Sequence, residues 1–185
     1  DIGHLIDIIR ENADIKNEEK LRKALYDSIY KINKLRGGTY MLEDLLVKEN
    51  IRIDTNSYTW EEAIKEAAKP LLEKELIEAR YVEAMINSVK ENGPYIVIDE
   101  YIALAHARPK DGVNELSMSM LKVDKSIDFL GEEVKVVVVL AATDNTKHIE
   151  ALASLTELFM EDYSKEKILK ATEIEEIHEL VKKYS

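Results

Sequence analysis

Apolar residues recur at every third or fourth position in the opening stretch, first at Ile2, Leu5, Ile6 and Ile9 and again at Leu21, Leu25, Ile29 and Ile32. That is the spacing of two amphipathic helices. A break at Asp14 to Lys16 separates them. Asn17 can cap the second, with Glu18 and Glu19 in its first turn, and Gly37-Gly38 ends it. From Met41 a short apolar turn through Leu42, Leu45 and Leu46 leads to Ile51 and Ile53, an alternating pair suited to a short edge strand. Thr59 and Glu62 then form a capping box. It opens a helix with Trp60, Ile64, Ala67 and Ala68 inward, which Pro70 is expected to kink or end near Lys69. A second helix from about Arg80 buries Tyr81, Ala84, Met85 and Val89 and stops at Asn92-Gly93-Pro94. Trp60 and Tyr81 lie at core spacing and read as packing residues.

In the C-terminal half the period shortens. Tyr95 to Ile98, Ile102 to Ala107, Leu116 to Val123 and Val134 to Ala141 are strand candidates, with turns at Asp111-Gly112 and Phe129-Leu130-Gly131. The four consecutive valines from Val136 are apolar on both faces, as a central strand covered from each side must be. A helix burying Ile149, Leu152, Leu155 and Phe159 follows, then two more, the last opening with a Thr172 to Glu175 capping box. The expected fold is α/β: a mixed β-sheet of about five strands flanked by helices on both faces, preceded by a helical linker.

Composition divides the chain at the glycines. Residues 1–37 hold eight Lys/Arg and seven Asp/Glu, net +1, which leaves 18 against 30, net −12, in residues 38–185. The boundary is therefore placed there: residues 1–37 as a helical linker or the tail of a preceding domain, residues 38–185 as the main domain. An overall charge of −11 speaks against direct contact with nucleic acid or an anionic membrane. The chain has no cysteine, so neither a disulfide scaffold nor a thiolate metal site is available. Val136 to Ala142, the most apolar run, is far short of the roughly 20 residues of a membrane-spanning helix. With no signal peptide in view, a cytoplasmic location is expected.

Candidate chemistry centres on Ala103-Leu104-Ala105-His106-Ala107-Arg108-Pro109. On a strand, alternation puts His106 and Arg108 on the same face, so a phosphoryl group on the ring would lie beside a fixed positive charge. A neutral imidazole is a competent nucleophile. A half-buried strand histidine with a surface arginine fits these residues as well. Asp144, Asn145 and Thr146 are N-cap residues that place His148 in the first turn of a helix. There the positive helix end favours neutral imidazole, and unpaired amides can help hold an anion. Asp144 with the two histidines shows no metal-ligand spacing, and no nucleotide-binding glycine motif is present, so no metal and no cofactor are expected. His4 and His178 read as surface or packing residues.

Several blocks in order, Trp60-Glu61-Glu62-Ala63-Ile64, Lys69-Pro70-Leu71-Leu72, Tyr81-Val82-Glu83-Ala84-Met85-Ile86, Asn92-Gly93-Pro94-Tyr95, His106-Ala107-Arg108-Pro109 and Leu140-Ala141-Ala142 with Asp144 and His148, resemble the enzyme IIA domains of the bacterial sugar phosphotransferase system, fructose/mannitol type. The likeness covers most of residues 41–183. It departs from the family at Ala105, where proline usually precedes the active histidine. The resemblance implies that His106 is phosphorylated by the carrier protein HPr and passes the group to an enzyme IIB domain. It also implies that His148 lies beside His106. Arg108, the available cation, is expected to steady the phosphoryl group or the docking partner, with a solvated loop arginine as the alternative, and Asp144 is a further candidate phosphoryl or partner contact. The helices and glycines of residues 1–37 look like the junction that follows a IIB-like domain in multidomain transcriptional activators and antiterminators. Three readings stay open: a regulatory receiver, a transport component that donates to a IIB domain, and an interaction domain without chemistry.

Overall fold

Residues 7–11, 17, 20–25, 28 and 40–185 are described by the structure, a computed structural model. The chain forms two units, residues 1–40 and residues 41–185. In the first, residues 7–11 and 20–25 are helical. Asn17 caps the second stretch as expected, its Oδ1 accepting the Lys20 amide at 2.9 Å. The expectations for Ile2, His4, Leu5, Ile6, Asp14 to Lys16, Ile29, Ile32 and Gly37-Gly38 lie outside the described residues.

The second unit is built on one five-stranded sheet. Its strands are β1 (Ile51–Asp54), β2 (Val97–Asp99), β3 (Tyr101–Ala105), β4 (Ser117–Phe129) and β5 (Glu132–Ala141). They lie in the order β1-β4-β5-β3-β2. The β4–β5 and β2–β3 pairs are antiparallel, and the β1–β4 and β3–β5 pairs are parallel. Val136 to Val139 are fully buried in the central strand, as a strand covered on both faces requires. Val137, Val139 and Ala141 face the core shared with α2 (Trp60–Glu73) and α3 (Ala79–Asn92). The alternate residues Val136, Val138 and Leu140 are buried on the opposite face, the side of α1 (Leu42–Leu45), α4 (Ile149–Met160), α5 (Asp162–Lys170) and α6 (Ile174–Tyr184).

Thr59 and Glu62 exchange their capping-box hydrogen bonds at the start of α2, and Gly93, at φ +79°, ends α3. Pro70 does not end α2, which continues through it to Glu73. The missing N–H would have bonded the Glu66 carbonyl. Arg52 Nη1 from β1 approaches that oxygen at 3.3 Å and pairs with the Glu66 carboxylate at 2.8 Å, so the helix tolerates its proline. At α6 the capping carboxylate is one residue later than expected. Glu176 accepts the Thr172 amide at 2.9 Å and the Glu173 amide at 3.3 Å.

Strand limits also moved. β2 begins two residues after Tyr95, and β3 stops at Ala105, short of His106 and Ala107. β4 runs on to Phe129 through the polar Asp124-Lys125-Ser126, with a bulge between Lys122 and Ile127, because β5 reaches back to Glu132 and holds it as a long hairpin. Ile149, expected inside, is 54% exposed, and Ala84 is only partly buried. Lys122, in contrast, is 2% exposed: its Nζ donates to Asp124 and to the Ala171 carbonyl at the end of α5, both at 2.8 Å. A cation placed there satisfies an orphan carbonyl at the negative end of the helix. His178 is half-buried on α6, where burial lowers its pKa.

Candidate functional site

Adjacent parallel strands bring their carboxyl ends to one end of the sheet, and both candidate histidines follow such ends. Ala105, the last residue of β3, pairs with Val139 of β5. His106 comes next in the chain and is half-buried. Its Nδ1 lies 2.9 Å from the Leu104 carbonyl, an acceptor only, so in the neutral ring Nδ1 carries the proton and Nε2 the lone pair. Tyr95 meets the ring edge-on, with centroids 5.9 Å apart and planes at 82°, and its hydroxyl is held by Ser88 at 2.7 Å.

His106 and Arg108 do not share a strand face, because the strand has already ended. Arg108 instead precedes a 3-10 turn at Pro109–Asp111. Asp111 accepts its amide and its Nε, both at 3.3 Å, and the side chain stays 72% exposed. The loop is fastened along the chain that enters α3. Arg80 Nη1 donates to the Lys110 carbonyl and the Glu78 amide to the Gly112 carbonyl, each at 2.8 Å. Gly112, at φ +130°, lets the two backbones approach: a Cβ there would meet Tyr81 N at 3.2 Å.

Tyr81 is the residue whose part the sequence hid. It is fully buried, as core spacing implied, yet its hydroxyl serves the site. It donates to the Leu140 carbonyl at 2.6 Å and accepts the Ala107 amide at 3.1 Å. Burial pushes its pKa up to about 12, so it remains a donor at any ordinary pH. A tyrosine on the apolar face of a helix gives no hint of such a partner, nor does the Tyr95 that follows a turn.

Beyond β5, Asp144 is a loop-capping residue. Its Oδ1 accepts the Thr146 and Lys147 amides at 2.9 and 3.0 Å, and these bonds, Lys147's foremost, hold its carboxyl below the usual range. His148 sits one step earlier than expected, at the N-cap of α4 rather than within its first turn. It is half-buried, and its Nδ1 is buried with no hydrogen-bond partner. Among the described residues no group of three or more His, Cys, Asp or Glu could hold a metal ion, and no helix is long and apolar enough to cross a membrane.

Residues 44–184 match the family described as "Phosphoenolpyruvate-dependent sugar phosphotransferase system, EIIA 2". The chain belongs to the type-2 enzyme IIA family. It is 30% identical over 142 residues to the mannitol-specific cryptic phosphotransferase enzyme IIA component of Escherichia coli K12, covering 76% of this chain and 97% of that one. The solution structure of the mannitol-specific cryptic enzyme IIA from E. coli superposes with a TM-score of 0.72 at 29% identity, covering 78% of this chain and 99% of the other. A complex of enzyme IIA and phosphorylated enzyme IIB of the E. coli mannitol system matches at TM-score 0.63 and 27% identity, covering 73% and 95% of the two chains. The five-stranded mixed sheet with helices on both faces is thus the fold of this enzyme IIA family. Ala105 keeps its place as the last β3 residue without proline, and the rigidity after it comes from the bonds to Tyr81, Arg80 and Glu78.

Proposed function

We propose that this enzyme IIA domain accepts a phosphoryl group from phospho-HPr on Nε2 of His106. The observation that carries this is the Nδ1 contact to the Leu104 carbonyl, which commits the other nitrogen to nucleophilic attack at a half-exposed strand end. The Nε2 lone pair forms the new N–P bond in line as the N–P bond of the donor imidazole breaks, the donor ring keeping that electron pair. No proton moves at Nε2. Positive charge that develops on the His106 ring is met by the Leu104 oxygen.

His148 and the amino end of α4 assist by hydrogen-bonding a phosphoryl oxygen. The support is the buried, unpartnered Nδ1 and the place of the residue beyond a β5 strand that neighbours β3. Arg108, exposed beside the loop, steadies the phosphoryl group or the docking partner, while Asp144 contributes by holding the loop that leads to His148. The phosphorylated IIB partner in the E. coli mannitol complex supports a IIB domain as the onward acceptor.

Within that activity the regulatory reading is preferred, in which phosphorylation of His106 is a signal in a sugar-operon regulator. A separate unit at residues 1–40, outside the matched span 44–184, supports it. Intact-mass measurement after incubation with phospho-HPr is expected to show an acid-labile adduct of one phosphoryl group, absent in His106→Ala. An adduct that persists in this variant overturns the assignment. Added IIB protein should then empty the phosphorylated domain slowly; rapid transfer favours the transport component.

A further inference from the structure

The parallel register of β3 and β5 stops one rung early. Pairing of Ala103 with Val137 and of Ala105 with Val139 would continue as Ala107 opposite Ala141. In a parallel ladder that next rung is a hydrogen bond from the Ala107 amide to the Leu140 carbonyl. The Tyr81 hydroxyl occupies that rung, accepting the amide at 3.1 Å and donating to the carbonyl at 2.6 Å. Two strand ends that would have closed on each other are held apart by one oxygen, and both groups of the interrupted rung remain satisfied. His106 is the residue immediately before this interruption, and the segment leading to His148 is the one immediately after it.

We infer that Tyr81 is a positioning residue for the phosphoryl transfer: its hydroxyl, inserted as a spacer between the carboxyl ends of β3 and β5, sets the backbone turn that aims Nε2 of His106. This rests on the role proposed for His106. Tyr81 does not touch the reacting atoms and acts through the Ala107 amide. The direction of α3 fixes the ring, since the Tyr81 backbone packs against Gly112 and its side chain is wholly buried. With the hydroxyl removed, Ala107 is free either to zip onto Leu140 or to move away. Either change turns His106 relative to the Leu104 oxygen that selects its tautomer.

The test compares Tyr81→Phe with Ser119→Ala in the full 185-residue chain. Ser119→Ala removes another buried hydroxyl-to-carbonyl bond, to Ala67 at 2.5 Å. Tyr81→Phe is expected to lower the single-turnover rate of phosphorylation by saturating phospho-HPr roughly ten- to hundredfold, with KM for the donor nearly unchanged. The ring-nitrogen NMR shifts of His106 should move from the Nδ1–H tautomer toward a mixture. Ser119→Ala should leave both at wild-type values. Wild-type rate or unmoved ring signals in Tyr81→Phe overturns the inference, as does the same change in Ser119→Ala, which would mark a general loss of stability. The ring signals need no phosphoryl donor, so they test the positioning role even if wild-type protein fails to accept the group, a failure that would count against the proposed function instead.

Discussion

Gly112→Ala offers a direct measure of how tightly the loop after His106 is held. At φ +130° an alanine pays backbone strain of about 1–3 kcal/mol, and restriction of the unfolded chain returns about 0.4–1 kcal/mol. The new Cβ also meets Arg80 Cγ at 3.1 Å and Tyr81 Cβ and N at 3.2 Å. The arginine can swing aside. The tyrosine atoms cannot, since one is helix backbone and the other roots a fully buried ring. Overpacking of this kind adds about 1 kcal/mol or more, for a net loss of roughly 2–3 kcal/mol. Gly131→Ala is the internal standard: it also stands at positive φ, +100°, but its Cβ meets nothing within 4 Å, so it carries the strain alone. Urea unfolding of both variants, followed by far-ultraviolet circular dichroism, should place Gly112→Ala below Gly131→Ala by about 1 kcal/mol or more. Equal losses, or a smaller one at Gly112, would refute close packing of the loop on Tyr81.

Lys122→Met keeps most of the buried volume but strips the Ala171 carbonyl of its donor, and is expected to lower stability by about 1–2 kcal/mol with faster amide exchange where α5 meets α6; unchanged stability would show that the ammonium caps nothing. Asp144 has its folded pKa depressed by the Lys147 and Thr146 amides, so its contribution is complete above the ordinary aspartate value near 3.9 and is lost as pH falls through the lower folded value. A carboxyl-carbon NMR titration should place its midpoint below the ordinary value, and a midpoint at or above it would remove Asp144 as the anchor of the His148 loop.

Most of the architecture was legible because local chemistry and global fold agree. The Thr59 box and the Gly93 stop each satisfy a requirement that needs no distant partner, and the four-valine run marks its own cover on both faces by being apolar throughout. The errors fall where a distant partner decides. Pro70 reads as a kink or an end of the helix, and the end does not come because Arg52, on another element, takes up the freed carbonyl. The strand expected to end at Val123 runs on through a polar stretch because β5 supplies the ladder. At the site, His106, Arg108, Asp144 and His148 were visible as residue types, but the end of β3 at Ala105 changed how the first two relate. The Tyr81 hydroxyl was invisible because its two partners are backbone groups, which leave no mark on a sequence.

The strand order has a consequence for how the domain comes into being. β5 is the seam of the sheet: without it, β1 with β4 and β3 with β2 are separate two-stranded ribbons, each too small to persist in water. A ribosome that has already released His106 still has Glu132–Ala141 to make. His106 is therefore synthesised well before the strand that completes the sheet around it, and a polypeptide truncated ahead of that strand should carry the histidine without its folded setting.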